Sequence, residues 1–225
     1  MKKKKRRADK GSRIYRFLHW LLAGIIKLLF HVRATGVENI PESGGAILCS
    51  NHIAIRDVVL LAAAIDRQPR FLAKAELFRV PLLSSLIRIL GAMPLDRSGR
   101  DVGAVKSAIA LAKSGKLVTV FPQGHRYPGI NPADTPIKNG AGMIAYHAGV
   151  PMIPVCIKVK KEKYAFFRRV NIVIGKPMTH AEVGLINGGR DEYRAASETV
   201  FGAICALGGY EKSVSPPSSE SESDT

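Results

Sequence analysis

The sequence predicts an α/β domain in which helices flank a largely parallel, mixed β-sheet, and two observations support this class. After Gly36, short runs rich in aliphatic and β-branched residues alternate with longer runs of helical character. Such alternation is typical of α/β domains whose sheet is buried between helices. The length of 225 residues suits a single domain with a terminal appendage.

The predicted elements follow one another regularly along the chain. Six runs are predicted strands: residues 46–50, 70–74, 92–96, 116–122, 152–159 and 170–175. Helices are predicted at residues 56–66, 77–91, 101–115 and 138–149, with a closing helix at 192–207. In such folds ligands bind where strands end and loops lead into helices. The polar clusters just past the strands are therefore the candidates for chemistry.

The N-terminal segment, residues 1–33, is basic and carries an apolar stripe. On a helical wheel, residues 14–32 place their large aliphatic side chains on one face and their cations on the other. This pattern is typical of a helix that lies in the headgroup region of a membrane. A membrane span is the less favoured alternative because Arg16, His19 and Lys27 interrupt the apolar run, and simple packing on the domain is the third.

The chain is strongly basic, with a formal net charge of +16 and a pI near 10.0. Residues 1–33 contribute +10 and residues 211–225 contribute −3, so the body is itself basic. This charge favours an anionic partner such as a phospholipid surface or a phosphate substrate. Nucleic-acid binding would rest on charge alone, and we do not predict it.

The cysteines and histidines show no metal-binding pattern. Cys49, Cys156 and Cys205 are odd in number and lack the spacing of metal ligands, so we interpret them as buried small residues of a reducing compartment. The histidines outside the motifs described below are scattered. We therefore predict no metal and no cofactor.

The stretch "CSNHIAIRDVVL" at residues 49–60 contains the first candidate pair. His52 lies just past a predicted strand, and Asp57 lies near the start of the next helix. An aspartate that holds one imidazole nitrogen leaves the other nitrogen free to take a proton from a hydroxyl. The alternative is that Asp57 is an ordinary helix cap and His52 an ordinary loop residue.

No nucleophile of the protein's own accompanies this pair. A G-x-S-x-G motif is absent from the sequence, so the attacking hydroxyl is expected to belong to the substrate. Anchoring a phosphorylated substrate requires cations, and arginine suits phosphate best. Arg97 in "PLDRSGR", Arg126 in "FPQGHRYPG" and Lys74 in "RFLAK" follow three different strands and are the candidates.

Four motifs in order, "NHIAIRD", "PLDR", "FPQGHR" and "GVPMIPV", resemble those of the bacterial 1-acyl-sn-glycerol-3-phosphate acyltransferases and the wider glycerolipid acyltransferase superfamily. The resemblance covers roughly residues 34–180. It implies a 1-acylglycerol-3-phosphate O-acyltransferase that moves a fatty acyl chain from an acyl thioester to a lysophospholipid hydroxyl, giving phosphatidic acid without an acyl-enzyme.

The resemblance also implies roles for individual residues. His52 would be the general base and Asp57 its partner; together they are the expected catalytic residues. The substrate-binding residues it implies are Lys74, Arg97, Gln123, Gly124, His125 and Arg126. The co-substrate would be acyl-CoA or acyl carrier protein.

The third motif departs from the family pattern, in which a glutamate and a threonine stand where this chain has Gln123 and His125. The loss of a negative charge beside Arg126 leaves open a lysolipid acceptor other than lysophosphatidic acid, or a weakened lipid-binding protein of the same fold. We expect Gln123 to hydrogen-bond a glycerol hydroxyl of the acceptor.

These inferences divide the chain into three parts. Residues 1–33 would be a membrane-anchoring segment, residues 34–209 the acyltransferase domain, and residues 210–225 a disordered tail rich in serine, proline and acidic residues. We expect the protein to lie at the cytoplasmic face of the cell membrane, bound peripherally or monotopically, with phospholipid as its partner.

Overall fold

The computed structural model describes residues 21, 23–26, 28–95, 102–165 and 167–213. Seven strands form one sheet. They are β1 (Val32–Thr35), β2 (Ala46–Ser50), β3 (Pro69–Lys74), β4 (Ala92–Leu95), β5 (Leu117–Val120), β6 (Met152–Val159) and β7 (Val170–Ile174). The helices after β1 are α1 (Arg56–Ala64), α2 (Pro81–Ile89), α3 (Val102–Lys113), α4 (Gly140–Ala148) and α5 (Arg190–Gly208).

The strand order in the sheet is β1-β7-β6-β2-β5-β3-β4. All pairs are parallel except β6 with β7, so β7 and its neighbour β1 run against the other five strands. The predicted α/β class with a largely parallel, mixed sheet is thus confirmed. The carboxyl ends of β2, β3, β4, β5 and β6 meet at one edge of the sheet.

Both faces of the central sheet are buried, which is why its strands are continuously apolar rather than alternating. One face packs against α3, α4 and α5, where small residues such as Ala108, Ala145 and Ala196 let the helices approach closely. The other face packs against Leu60 and Leu61 of α1. The site therefore rests on a rigid, two-sided core.

The N-terminal helical residues cover part of the α1 face. The described residues between 21 and 30 are helical, with Ala23 buried and Ile26 and Phe30 packed against the core. Leu21, Ile25 and Leu28 stay exposed. No helix within the described ranges is long and apolar enough to cross a membrane.

The structure corrects two predicted boundaries. The helical prediction for residues 14–32 ends too late, because Val32 already begins β1 and pairs with Val170 of β7. The division at residue 33 therefore falls inside a strand of the sheet. At the other end of the chain, the Tyr210 hydroxyl donates a hydrogen bond to the Glu162 carboxylate, and the backbone N–H and hydroxyl of Ser213 donate to the Asp134 carboxylate. Residues 210–213 therefore belong to the fold. The rest of the predicted tail lies outside the described residues.

One predicted helix is divided. Residues 77–91 were expected to be a single helix, but a 3₁₀ turn at Ala75–Arg79 precedes α2, which starts at Pro81. Proline lacks an N–H and disfavours helical geometry in the preceding residue, so it suits a first helical position better than an interior one.

Candidate active site

The candidate site lies at the carboxyl edge of the central strands, where β2 and β5 are neighbours. His52 follows the end of β2 by two residues, and Gln123 follows the end of β5 by three. Asn51 secures the first of these loops: its side chain accepts from the Ile157 N–H and donates to the Ile157 carbonyl, both at 2.8 Å. The amide thereby extends the pairing of β2 with β6 by one residue and fixes where His52 emerges.

His52 and Asp57 form the predicted pair. Nδ1 of His52 lies 2.6 Å from Oδ2 of Asp57, and the aspartate is fully buried. A carboxylate only accepts, so Nδ1 carries the proton and donates, which leaves Nε2 as the nitrogen free to accept. The imidazole is only partly buried, so a hydroxyl group can approach its free edge.

Asp57 also shapes the turn that precedes α1, but it is not the helix cap of the alternative interpretation, because the N-cap position is Ile55 and has no side-chain cap hydrogen bond. The same Oδ2 accepts from the backbone N–H of Ile53 at 2.7 Å and of Ala54 at 3.0 Å. These bonds fold the chain between His52 and α1 into a tight turn. The turn brings two residues that are five apart into contact and holds the carboxylate in one orientation.

Tyr164 serves the other oxygen of the carboxylate. Its hydroxyl donates to Oδ1 of Asp57 at 2.6 Å. Burial, and then the negative charge of Asp57, raise the pKa of Tyr164 well above its usual range, so the hydroxyl keeps its proton and remains a donor. Four donors thus surround a buried carboxylate, as burial of a charge requires.

Phe121 and Gln123, in the loop that follows β5, support the histidine. The Phe121 ring stacks on the His52 imidazole, with centroids 3.9 Å apart and planes 15° apart. Oε1 of Gln123 accepts from the His52 backbone N–H at 2.6 Å, and Nε2 donates to Thr135 Oγ1 at 2.7 Å. The Thr135 hydroxyl in turn donates to the Pro132 carbonyl.

This arrangement differs from the predicted role of Gln123. Its side chain is 1% exposed and both ends of its amide bond to protein groups, so the expected hydrogen bond to an acceptor hydroxyl does not match this geometry. The residue instead holds the backbone of the histidine. The sequence could not show this because Thr135 and His52 lie in other loops.

Gly124, His125 and Arg126 form the loop beyond Gln123. Gly124 adopts a φ of +70°, which favours glycine, and the flexible end of the Lys138 side chain lies directly over it. His125 and Arg126 are exposed. The backbone N–H of Tyr127 donates to the His52 carbonyl at 2.9 Å, which ties this loop to the histidine.

The remaining predicted cations are placed only in part. Lys74 ends β3 at the same edge of the sheet, but the structure does not describe its side chain. Arg97 lies outside the described residues, two positions past the end of β4. The position of Lys138 over Gly124 adds a cation beside the Arg126 loop that the sequence reasoning did not consider.

The cysteines lie in the core rather than at this site. All three are free and buried. Burial raises the pKa of Cys205 to about 11 and of Cys156 to about 12, and raises that of Cys49 beyond this range, so none is a ready nucleophile. Within the described ranges, no three His, Cys, Asp or Glu side chains are grouped to hold a metal ion.

The sequence reasoning missed the residues that hold the pair in place. Tyr164 is 107 positions from Asp57, and no local pattern connects them. Phe121 and Thr135 were likewise not identified. A signal was available only for Phe121, because an aromatic residue at the exit of a buried strand, next to a predicted catalytic loop, is a natural packing partner for an imidazole.

Comparison with known proteins places this geometry in context. Residues 31–158 match the model of the acyltransferase family. This range contains His52, Asp57, Gln123 and Arg126.

Curated relatives share the similarity. The chain is 29% identical over 172 residues to the 1-acyl-sn-glycerol-3-phosphate acyltransferase of Bacillus subtilis, covering 75% of this chain and 84% of that protein. It is 31% identical over 139 residues to the enzyme of the same name from Borreliella burgdorferi, covering 60% and 52% of the two chains.

A solved structure is also similar. The crystal structure of the 1-acyl-sn-glycerophosphate (LPA) acyltransferase from Thermotoga maritima matches with a TM-score of 0.63 and 26% identity, over 89% of this chain and 83% of that one. The similarity thus extends over most of both chains.

Proposed function

The chain belongs to the acyltransferase family, and from this premise we propose that it transfers a fatty acyl chain from an acyl thioester to the free hydroxyl of 1-acyl-sn-glycerol-3-phosphate, giving phosphatidic acid. One observation carries the proposal: a partly exposed imidazole whose Nδ1 is held 2.6 Å from a buried carboxylate. The names of the relatives from Bacillus subtilis and Thermotoga maritima support the choice of acceptor.

In this reaction His52 acts as general base. Its Nε2 takes the proton of the acceptor hydroxyl as the oxygen attacks the thioester carbonyl carbon. The tetrahedral intermediate collapses, the carbon–sulfur bond breaks, and the imidazolium returns its proton to the departing thiolate. The products are an ester and a thiol, and no acyl-enzyme forms.

Asp57 and its donors position the base. The carboxylate fixes the imidazole tautomer and stabilises the imidazolium while it exists. Tyr164, Ile53 N–H and Ala54 N–H hold the carboxylate, and Phe121 holds the ring plane. Pre-set groups of this kind lower the reorganisation that the transition state requires.

The acceptor phosphate would bind the cations at the same edge. We assign this role to Arg126, Arg97 and Lys74, because phosphate recognition favours arginine and because each of the three ends or follows a strand that ends at this edge. Gly124 and His125, which belong to the same loop as Arg126, would also contact the acceptor. The donor is acyl-CoA or acyl carrier protein.

We also propose that the protein works at the cytoplasmic face of the cell membrane, where a lysophospholipid acceptor resides. The basic N-terminal segment and the exposed Leu21, Ile25 and Leu28 support this location. Membrane binding would be peripheral or monotopic.

The test is a product screen by mass spectrometry. Purified protein is supplied with several lysolipids and with acyl-CoA or acyl carrier protein, and phosphatidic acid is expected from 1-acyl-sn-glycerol-3-phosphate. His52→Ala should lower kcat at least about 100-fold, because general-base catalysis contributes about 10²–10⁴-fold. An unchanged rate in this variant would refute the assignment of His52 as the base. If only another lysolipid gave product, that lysolipid would be the acceptor in place of 1-acyl-sn-glycerol-3-phosphate.

A further inference from the structure

The loop between β6 and β7, residues 160–169, displays a large aromatic side chain to solvent. Phe167 is 69% exposed, and its backbone has a φ of 60°. Bulky residues rarely adopt positive φ, so the surrounding structure must hold this conformation. One such contact is the Phe167 N–H, which donates to the Leu29 carbonyl at 2.8 Å.

Phe167 is one of several exposed apolar residues in this region. The described helical residues between 21 and 30, which the Leu29 contact ties to the loop, include the exposed Leu21, Ile25 and Leu28. Ile55, just before α1, is 59% exposed. Exposed apolar residues that are grouped rather than scattered mark an interaction surface.

Aromatic and cationic contacts join these three parts of the surface. The Arg56 guanidinium lies 5.9 Å from the centre of the Phe30 ring, and Phe30 meets Tyr164 edge-on with centroids 6.5 Å apart. The N-terminal helix, the start of α1 and the β6–β7 loop are therefore side by side. The loop is also fixed to the catalytic pair, because its Tyr164 donates to Asp57.

The loop is strongly basic as well as apolar. Its cations, all exposed, are Lys160, Lys161, Lys163, Arg168 and Arg169. The carboxylate of Glu162 accepts from the Tyr210 hydroxyl at 2.8 Å and is directed to the protein. Basic residues attract an anionic lipid surface, and an aromatic ring between them suits the headgroup boundary.

We propose that the β6–β7 loop is a second membrane-binding element, which inserts Phe167 into an anionic phospholipid bilayer beside the active site. The loop acts together with the N-terminal segment and holds the exposed edge of His52 at the level of the headgroups. This inference rests on the proposed function insofar as the acceptor is a membrane lipid. A bilayer with anionic headgroups matches both the cations of the loop and the exposed apolar Phe167, Ile55 and Leu28.

The test places a fluorescent reporter at the loop. Trp20 is the only tryptophan of the chain, so Trp20→Phe provides a silent background for Phe167→Trp. Ile186→Trp in the same background is the matched control, because Ile186 is 75% exposed and its neighbour Asn187 accepts a hydrogen bond from Tyr146 of α4, which packs on the sheet face opposite α1. Vesicles contain phosphatidylglycerol and phosphatidylcholine, with brominated phosphatidylcholine as quencher.

We expect the emission of the Phe167→Trp protein to shift to the blue and to be quenched by the brominated lipid, while the Ile186→Trp protein shows neither effect. In the native background, Phe167→Ser should weaken vesicle partitioning about 10-fold or more, because the transfer of a phenylalanine side chain out of water is strongly favourable. Thermal unfolding of the Phe167→Ser protein should match that of the wild type, since the side chain is exposed.

Unshifted emission from the Phe167→Trp protein on vesicles with which it co-sediments would overturn the proposal. So would a shift produced by acyl carrier protein but not by vesicles. Turnover of a short-chain, monomeric 1-acyl-sn-glycerol-3-phosphate does not require a bilayer and tests the proposed reaction separately. The Phe167→Ser variant should keep this turnover, and failure of the wild type in this assay would reject the reaction and not the membrane contact.

Discussion

Replacing Tyr164 with phenylalanine tests how the Asp57 carboxylate is held and whether it has the proposed catalytic role. Oδ2 of Asp57 has three donors, whereas Oδ1 receives the Tyr164 hydroxyl at 2.6 Å. The substitution removes one oxygen atom and leaves a fully buried carboxylate oxygen without that donor. We expect lower stability and a lower kcat.

The magnitude follows from the charge of the acceptor. A hydrogen bond to a charged group contributes about 1.5–3 kcal/mol, and leaving a buried charged group unsatisfied costs at least as much. The free energy of unfolding should therefore fall by about 2 kcal/mol. A part of the same loss, about 1.4 kcal/mol, would appear as a tenfold lower kcat, because Asp57 must stabilise the imidazolium.

The assay uses initial rates of phosphatidic acid formation and urea unfolding. Tyr210→Phe is the matched control, because Tyr210 also donates its hydroxyl to a carboxylate, that of Glu162, at 2.8 Å. Both variants should lose stability, but only Tyr164→Phe should lose kcat. Equal rates in the two variants would show that Tyr164 is purely structural.

Two further predictions follow from neighbouring groups. Gln123→Glu should lower stability by about 1–3 kcal/mol and lower kcat without changing the preference among acceptors. The reason is that the new carboxylate oxygen faces Thr135 Oγ1, whose proton is donated to the Pro132 carbonyl. A changed acceptor preference in the product screen would instead support direct contact between residue 123 and the acceptor. Burial raises the pKa of Tyr164 and of Tyr210, so both hydroxyls stay protonated in the folded chain, whereas the tyrosines of the unfolded chain ionise near pH 10. Above pH 10, urea unfolding should therefore show that each of the two tyrosines costs about 1 kcal/mol of stability for every pH unit. A Tyr164→Phe, Tyr210→Phe double variant should lose less over that range, and an equal loss would contradict the assignment.

Much of the fold could be predicted because the pattern of apolar residues within a short segment indicates which of its faces are buried. Residues 46–50 and 152–159 were predicted as strands with the bounds that β2 and β6 have. Continuous apolar runs mark strands covered on both faces, and their alternation with helical runs predicts parallel pairing. β1 was missed because its four residues follow a helix directly and only β7 reveals their pairing.

The candidate site divides in the same way. His52 and Asp57 could be identified because the turn that joins them is local: the carboxylate folds back on two N–H groups within four residues. The sequence shows that Gln123 departs from the family pattern, and it predicts that Gln123 binds the acceptor. This prediction rests on the residue type alone, because a sequence motif does not show where a side chain points. Its burial and its bond to the His52 N–H arise only when β2 and β5 lie side by side.

The sequence by itself determined the class of fold and the local turn that pairs His52 with Asp57, and the resemblance of its motifs indicated the family. The class of fold and the turn follow from periodic burial and short-range hydrogen bonds, which operate over a few residues. The tertiary structure alone decided that Tyr164 donates the fourth hydrogen bond to the Asp57 carboxylate, that Gln123 holds the backbone of His52, and that Phe167 lies beside the N-terminal helix. Such contacts join segments tens of residues apart, and chain packing rather than any local pattern brings them within hydrogen-bonding or van der Waals distance.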